Sequence, residues 1–331
     1  MISHQKVIAD SAAHVYHSAL PFTPQNSLLF KTYKNEADDA VHVLCGVDPQ
    51  WSPCLSTIQC GGSKVKCVTY TLDGLRIATG IDSKIKIWDA VSASCLMELE
   101  HPGRVTVTSV IFLLNDTLLA SGSGNTIMLW DPISGSLIRT YGEHTMTINC
   151  LSASSGTSNI LASGSADCTI RIWDASATST DCILTMQCHG SPVRSIVVLP
   201  DGSRILSGSQ DGIIRLWNTR DGTELQQFEF HSSAVCSLAV NDSKDLQFAS
   251  ASESGIVKIY SISRNIEVMT HDSKHQVHSI AFSADGEVLA YDSPQDVLVL
   301  QCSTGQVSAK FRHGAVAQVA ISPQGTRLAS G

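Results

Sequence analysis

The chain has 331 residues, 43% of them hydrophobic and only 16% charged, with a net charge of −8. A chain of that size buries an ample core without staples, and its lack of a basic surface argues against nucleic acid as a partner. The 11 cysteines are odd in number and form no CxxC pair, so they read as buried free thiols of a reducing, cytoplasmic compartment.

In chain order, residues 1–20 place Ile8, Ala12, Val15, Tyr16 and Leu20 near one helical stripe. Pro21 and Pro24 end that helix, and a linker follows to residue 40. The start lacks the basic and continuous apolar blocks of a signal peptide. No run approaches the ~18 apolar residues of a membrane span, so no membrane partner is expected. The sequons at Asn115 and Asn241 are then chance matches.

From residue 41 to 331 the chain reads as one repeating domain. The segments IDSKIKIWDA, GNTIMLWDP, DCTIRIWDA, DGIIRLWNT, SGIVKIYSI and QDVLVLQCS share a final aromatic position or its stand-in. That position falls at Trp88, Trp130, Trp173, Trp217, Tyr260 and Gln301, at spacings of 42, 43, 44, 43 and 41 residues. Residues 193–228 show the unit. VRSIVVL is strand a, RILSG strand b, IIRLW strand c and ELQQF strand d, separated by Asp-Gly turns. A four-stranded sheet of this kind cannot cover both its faces alone, so the units must stack.

Over residues 55–331 the chain resembles the WD-repeat (WD40) family. The resemblance implies an all-β, seven-bladed β-propeller of four-stranded antiparallel blades. Strand a begins near Val65, Val105, Ile148, Val193, Val235, Val277 and Val316, and the seventh unit stops after strand b at Gly331. VHVLCGV (41–47) and LSTIQ (55–59) are expected to supply its strands c and d, sealing the ring with both chain ends. The alternative is a truncated chain and an open ring.

The resemblance also implies a hydrogen-bonded set in each blade. His144, Ser163, Asp167 and Trp173 form one, and His189, Ser207, Asp211 and Trp217 the next. Ser163 and Trp173 are symmetric about residue 168 and can face each other across the b–c hairpin. A set that recurs with the repeat reads as structural, and there is no GxSxG, so no hydrolase and no catalytic residue is expected. Other blades depart from the pattern. Blade one has Thr79, Asp82 and Trp88 but Cys60-Gly61 where Gly-His is expected. Blade two has His101, Ser121 and Trp130 without the Asp, and blade five His231, Ser250, Ser254 and Tyr260. Blade six, with Tyr291, Gln295 and Gln301, keeps almost nothing, and blades five to seven are expected to be looser than three and four.

The run His271, His275, His278 has zinc-like spacing, but it spans a loop, and no metal is expected there. No GxxxxGK[ST] is present, so no nucleotide or other cofactor is expected. GSGN (122–125) reads as a tight turn, and Glu98 and Glu100 as a solvated strand edge.

Function is then expected from loops on a rigid ring. The residues just before each strand a are the candidate partner face: Lys64, Arg104, Thr147, Pro192, Ala234 and Gln276, joined by Ile81, Ala166 and Gln210 from the b–c turns. Arg104 is the first choice, because Arg is enriched at binding hot spots. HVYHSALPFTPQNSLLFKTY resembles the segment before the propeller in fungal NACHT-type STAND proteins. This implies a non-catalytic scaffold or sensor that binds a protein partner. The alternatives are an adaptor of G-protein β or ubiquitin-ligase type, or a propeller-fold hydrolase.

Overall fold

The computed structural model of the chain describes residues 54–60, 64–154, 159–176, 180–241, 245–312 and 318–331. The expected helix, the linker and strand 41–47 lie outside the described residues. The chain divides into two compact units, 1–57 and 58–331, and the second carries the repeats.

Each repeat folds as a four-stranded antiparallel sheet in simple chain order. Blade four shows the pattern, with strands Val193–Val198, Arg204–Ser209, Ile214–Asn218 and Glu224–Phe228. The turns are built locally. Asp201 and Asp221 each accept the amide two residues on, and Gly202 and Gly222 take positive φ.

The core lies between blades. Ile85, Ile87 and Leu99 of blade one pack on Val107, Val110, Leu119 and Trp130 of blade two. Ile127, Leu129 and Tyr141 of blade two meet Ile148, Leu161 and Trp173 of blade three. Each buried apolar side chain contributes about 1.5–3 kcal/mol, and none of it is available to a lone sheet. The repeated Ser-Gly-Ser of strand b follows from this closeness. A Cβ on Gly164 would stand 2.7 Å from Val193 of the next blade and 2.8 Å from Cys150 Sγ.

The described residues hold six four-stranded blades, not seven, and a two-stranded sheet, Val319–Ile321 with Leu328–Ser330. Residues 55–59 form no strand, although Ile58 and Cys60 pack with Trp88, Ala320 and Ala329. Strand a of blade two begins at Val107, two residues later than expected, because Gly103 and Arg104 both take positive φ in the preceding turn.

The two-stranded sheet nevertheless joins the last blade to the first. One strand-a side chain per sheet bonds the backbone nitrogen of the next strand a. Ser109 serves Leu151 at 3.1 Å, Ser195 serves Leu238 at 3.0 Å and Ser237 serves Ile280 at 3.2 Å. Cys67 and Cys150 hold the same place toward Val110 and Ile196. Ser279 accepts from Val319 at 3.0 Å, and Gln318 accepts from Val68 at 2.6 Å, which completes the circuit.

Candidate functional site

In blade three, His144 Nε2 lies 2.7 Å from Ser163 Oγ, and Nδ1 lies 2.9 Å from Asp167 Oδ2. Trp173 Nε1 donates to the same Ser163 oxygen at 2.9 Å. Indole can only donate, so Ser163 turns its hydrogen toward His144, and the ring proton is assigned to Nδ1, facing Asp167. Blade four repeats the geometry, with 2.8 Å from His189 to Ser207, 3.0 Å from His189 to Asp211 and 2.8 Å from Trp217 to Ser207.

The electrostatics agree with a neutral imidazole. Burial pulls His144 and His189 below their ordinary values, against the pull of Asp167 and Asp211. Burial acts to raise the Asp167 carboxyl. Hydrogen bonds from Thr169, His144 and the Thr145 amide outweigh it and hold the group well below the usual carboxylate range. Asp211 is also lowered, by the Ile213 amide and His189, against its own burial. Ser163 and Ser207 are fully buried and each already accepts an indole N–H. That geometry gives neither serine a path to an outside substrate.

The other blades keep parts of the set. In blade two, His101 meets Ser121 at 3.0 Å and Trp130 donates to Ser121 at 2.8 Å. With no carboxylate beside it, burial lowers His101 to about 4. In blade one, Trp88 donates to Thr79 at 2.8 Å. In blade five, His231 meets Ser250 at 2.8 Å, but its buried Nδ1 has no partner. Tyr260 turns its hydroxyl to Asn265 at 2.6 Å and joins a ring cluster with Phe228, Phe230 and Phe248.

Blade six corrects the expectation that it keeps almost nothing. His271 Nε2 lies 3.0 Å from the Tyr291 hydroxyl, so a tyrosine stands in for the serine and His271 for the missing histidine. The sequence conceals this pair because His271 stands in a run of three histidines and its partner lies twenty residues away on the next blade. The structure does not bring those three together. His278 pairs with Asp292 at 3.2 Å, and His275 lies exposed in the loop.

On the rim, Lys64, Arg104, Thr147 and Gln276 are exposed and Pro192 is half-buried, whereas Ala234 is buried. Thr147, Pro192 and Ala234 use their carbonyls to hold Ala166, Gln210 and Glu253 of the b–c turns at 2.8, 3.0 and 3.0 Å. In Ala234 the side chain is drawn in as well. Ile81 is likewise buried, while Ala166 is half-buried and Gln210 exposed. Arg104 sits at φ +53, a region costly for a residue with a Cβ.

Inside the ring, the first strands of the six four-stranded sheets, together with Gln318, line a central channel of about 330 Å³. Its wall includes Lys66, Thr108, Asn149, Arg194, Cys236 and His278, of which only His278 stood out in the sequence, and not for the channel. Among the described residues no group of three or more His, Cys, Asp or Glu is arranged to hold a metal. No helix among them is long and apolar enough to cross a membrane.

Comparison with known proteins adds to the geometry. Five consecutive stretches, 52–89, 93–131, 135–174, 180–218 and 222–261, match the family described as WD domain, G-beta repeat. Together they cover more than half of the chain and end with strand c of blade five. Over 94 residues the chain is 35% identical to Vegetative incompatibility protein HET-E-1 of Podospora anserina, covering 28% of this chain and 7% of that protein. It is 29% identical over 159 residues to a Guanine nucleotide-binding protein subunit beta of Arabidopsis thaliana, covering 45% of this chain and 42% of that protein. It is 30% identical over 198 residues to Cell division cycle 20.4, cofactor of APC complex, of the same plant, covering 57% of this chain and 44% of that protein. The chain thus spans less than half the length of these relatives.

Proposed function

The chain belongs to the WD40 repeat family, and from that premise we propose that it is a non-catalytic platform that binds a protein partner through its rim loops. The observation that carries this reading is the internal use of the His-Ser-Asp-Trp sets. Their reactive-looking atoms bond each other inside blades three and four. What remains free to make contacts is the side chains of the loops, held on a rigid ring.

The partner face proposed is the rim carrying Lys64, Arg104, Thr147, Pro192 and Gln276. Arg104 leads it, exposed and kept in a left-handed conformation that glycine would adopt at no strain. Its likeness to HET-E-1 supports a sensor of the fungal NACHT/STAND kind. Likeness to the G-protein β subunit and the APC cofactor supports a second reading, an adaptor subunit. Nine described cysteines, from Cys60 to Cys302, are free thiols, which supports a reducing, cytoplasmic setting.

The test is affinity capture from the native cell with the unaltered protein, Arg104→Ala, Arg104→Glu and Arg104→Gly as baits. A partner should be retained by the first and lost from Arg104→Glu. Arg104→Gly should unfold at a higher temperature, by the relief of about 1 kcal/mol of backbone strain, yet still lose the partner. Unchanged capture by all three variants removes Arg104 as a hot spot. Ester hydrolysis abolished by Ser163→Ala, with folding intact, would overturn the non-catalytic reading.

A further inference from the structure

Strand a carries a bulge in each of the first five blades. The register skips one residue per blade, and the residues left out are Lys66, Thr108, Asn149, Arg194 and Cys236. His278 holds the same place in blade six, just before Ser279 of the inter-blade circuit. A bulged residue is released from the ladder and its side chain re-aimed. Here these side chains line the central channel. Because the blades are related by rotation, equivalent positions meet at one level of it. Three of the six residues at that level are basic and none is a carboxylate, in a chain whose net charge is −8.

The neutral members are tied to the wall. Thr108 donates to the Ile148 carbonyl at 2.6 Å, and Asn149 donates to the Val193 carbonyl at 2.8 Å. The basic members are not tied in this way. Lys66 is exposed and makes no ion pair among the described residues. Arg194 has Glu253 at 3.9 Å, the outer limit of a salt bridge. His278 is held through Nδ1 by Asp292, whose carboxylate is already anchored by the amides of His278 and Ser279 at 2.7 Å each. That leaves the His278 Nε2 available to a ligand.

We propose that the channel binds a small phosphate-bearing anion through Lys66, Arg194 and His278. Phosphate oxygens accept several charge-assisted hydrogen bonds at once, and a cleft lined with one sign of charge concentrates ligands of the other. The volume of about 330 Å³ falls at the lower end of small-ligand sites. This suits a free small molecule rather than a folded partner. A phosphoserine side chain offers the same chemistry, and the experiment separates the two sources.

The experiment is titration calorimetry on the full chain with inorganic tripolyphosphate, inorganic pyrophosphate and a phosphoserine peptide, at low and at physiological salt. Tripolyphosphate is expected to bind with one site per chain. Lys66→Gln and Arg194→Gln should each weaken it at least tenfold at an unchanged unfolding temperature. Glu253→Gln should tighten it severalfold, which a purely structural role would not do, and Lys310→Gln on an outer strand should leave it unchanged. Should Arg194→Gln unfold, Lys66→Gln and Glu253→Gln carry the test. Absence of binding at millimolar tripolyphosphate, equal affinity in all variants, or binding of the peptide alone each overturns the proposal.

Discussion

Gln318 Oε1 accepts a hydrogen bond from the backbone nitrogen of Val68 at 2.6 Å, joining residues 250 positions apart. Every other sheet makes the corresponding link with Ser or Cys, and this one uses the longer amide side chain. The bond sits where the two-stranded sheet meets blade one. Gln324 and Arg327 reinforce it with bonds to the carbonyls of Asp73 and Ala90 at 2.8 and 3.1 Å.

Removing that link should loosen the ring at its seam. Gln318→Ala leaves the amide of a buried Val68 unsatisfied, at a cost of roughly 1–3 kcal/mol. Urea unfolding should show the loss, and hydrogen exchange should accelerate first at Val68. An equal loss with no change in exchange at Val68 would mean that the seam is held by other contacts.

Acid should reach the blade-three set through Asp167. Its carboxyl is lowered in the folded chain, so the stability it supplies is fully present above the ordinary carboxylate value, about 4. That stability is lost as pH falls below this value toward the lowered one. Asp167→Ala should cost roughly 1–3 kcal/mol at neutral pH, and the gap to the unaltered protein should narrow below pH ~4. Asp211→Ala should cost less, because the Asp211 side chain is 19% exposed against 7% for Asp167. Thermal unfolding across pH 3–8 measures both, and a gap that is constant with pH would contradict the linkage.

Blade five offers a gain. Ser254 occupies the place of Asp167 and Asp211, four residues after the serine of the set, and His231 Nδ1 is buried without a partner. Burial, helped by Lys258, lowers His231 to about 4. A lowered histidine resists protonation in the folded state, so stability falls as pH drops from the ordinary ~6.5 toward that value. Ser254→Asp should supply the acceptor, raise the histidine and add about 1 kcal/mol, with a larger gain at pH 5 than at pH 8. A gain of the same size at both pH values would show that the new carboxylate does not reach the ring.

The thiols should divide by location. Burial pushes Cys67, Cys150 and Cys188 up to about 12, whereas Cys95 lies exposed. Iodoacetamide at pH 8, read by mass spectrometry, should modify Cys95 well before those three, since only the thiolate reacts. Early labelling of Cys67 or Cys150 would mean that the inter-blade circuit opens in solution.

The repeat was written in the sequence because a blade is made of local hairpins. Asp201-Gly202 and Asp221-Gly222 set their own turns, and the spacing of Ser163 and Trp173 puts them on one hairpin, although the register pairs Ser163 with Arg171 and Trp173 with Leu161, so the two meet on the diagonal. Contacts that cross from one repeat to the next had no such local signal. Neither the pairing of His271 with Tyr291 nor the link from Gln318 to Val68 depends on neighbours in sequence. Each depends on how two sheets meet, and so does the count of four-stranded blades. Side-chain period and turn chemistry act over a few residues, while the packing of sheet on sheet is decided only when distant repeats are brought together.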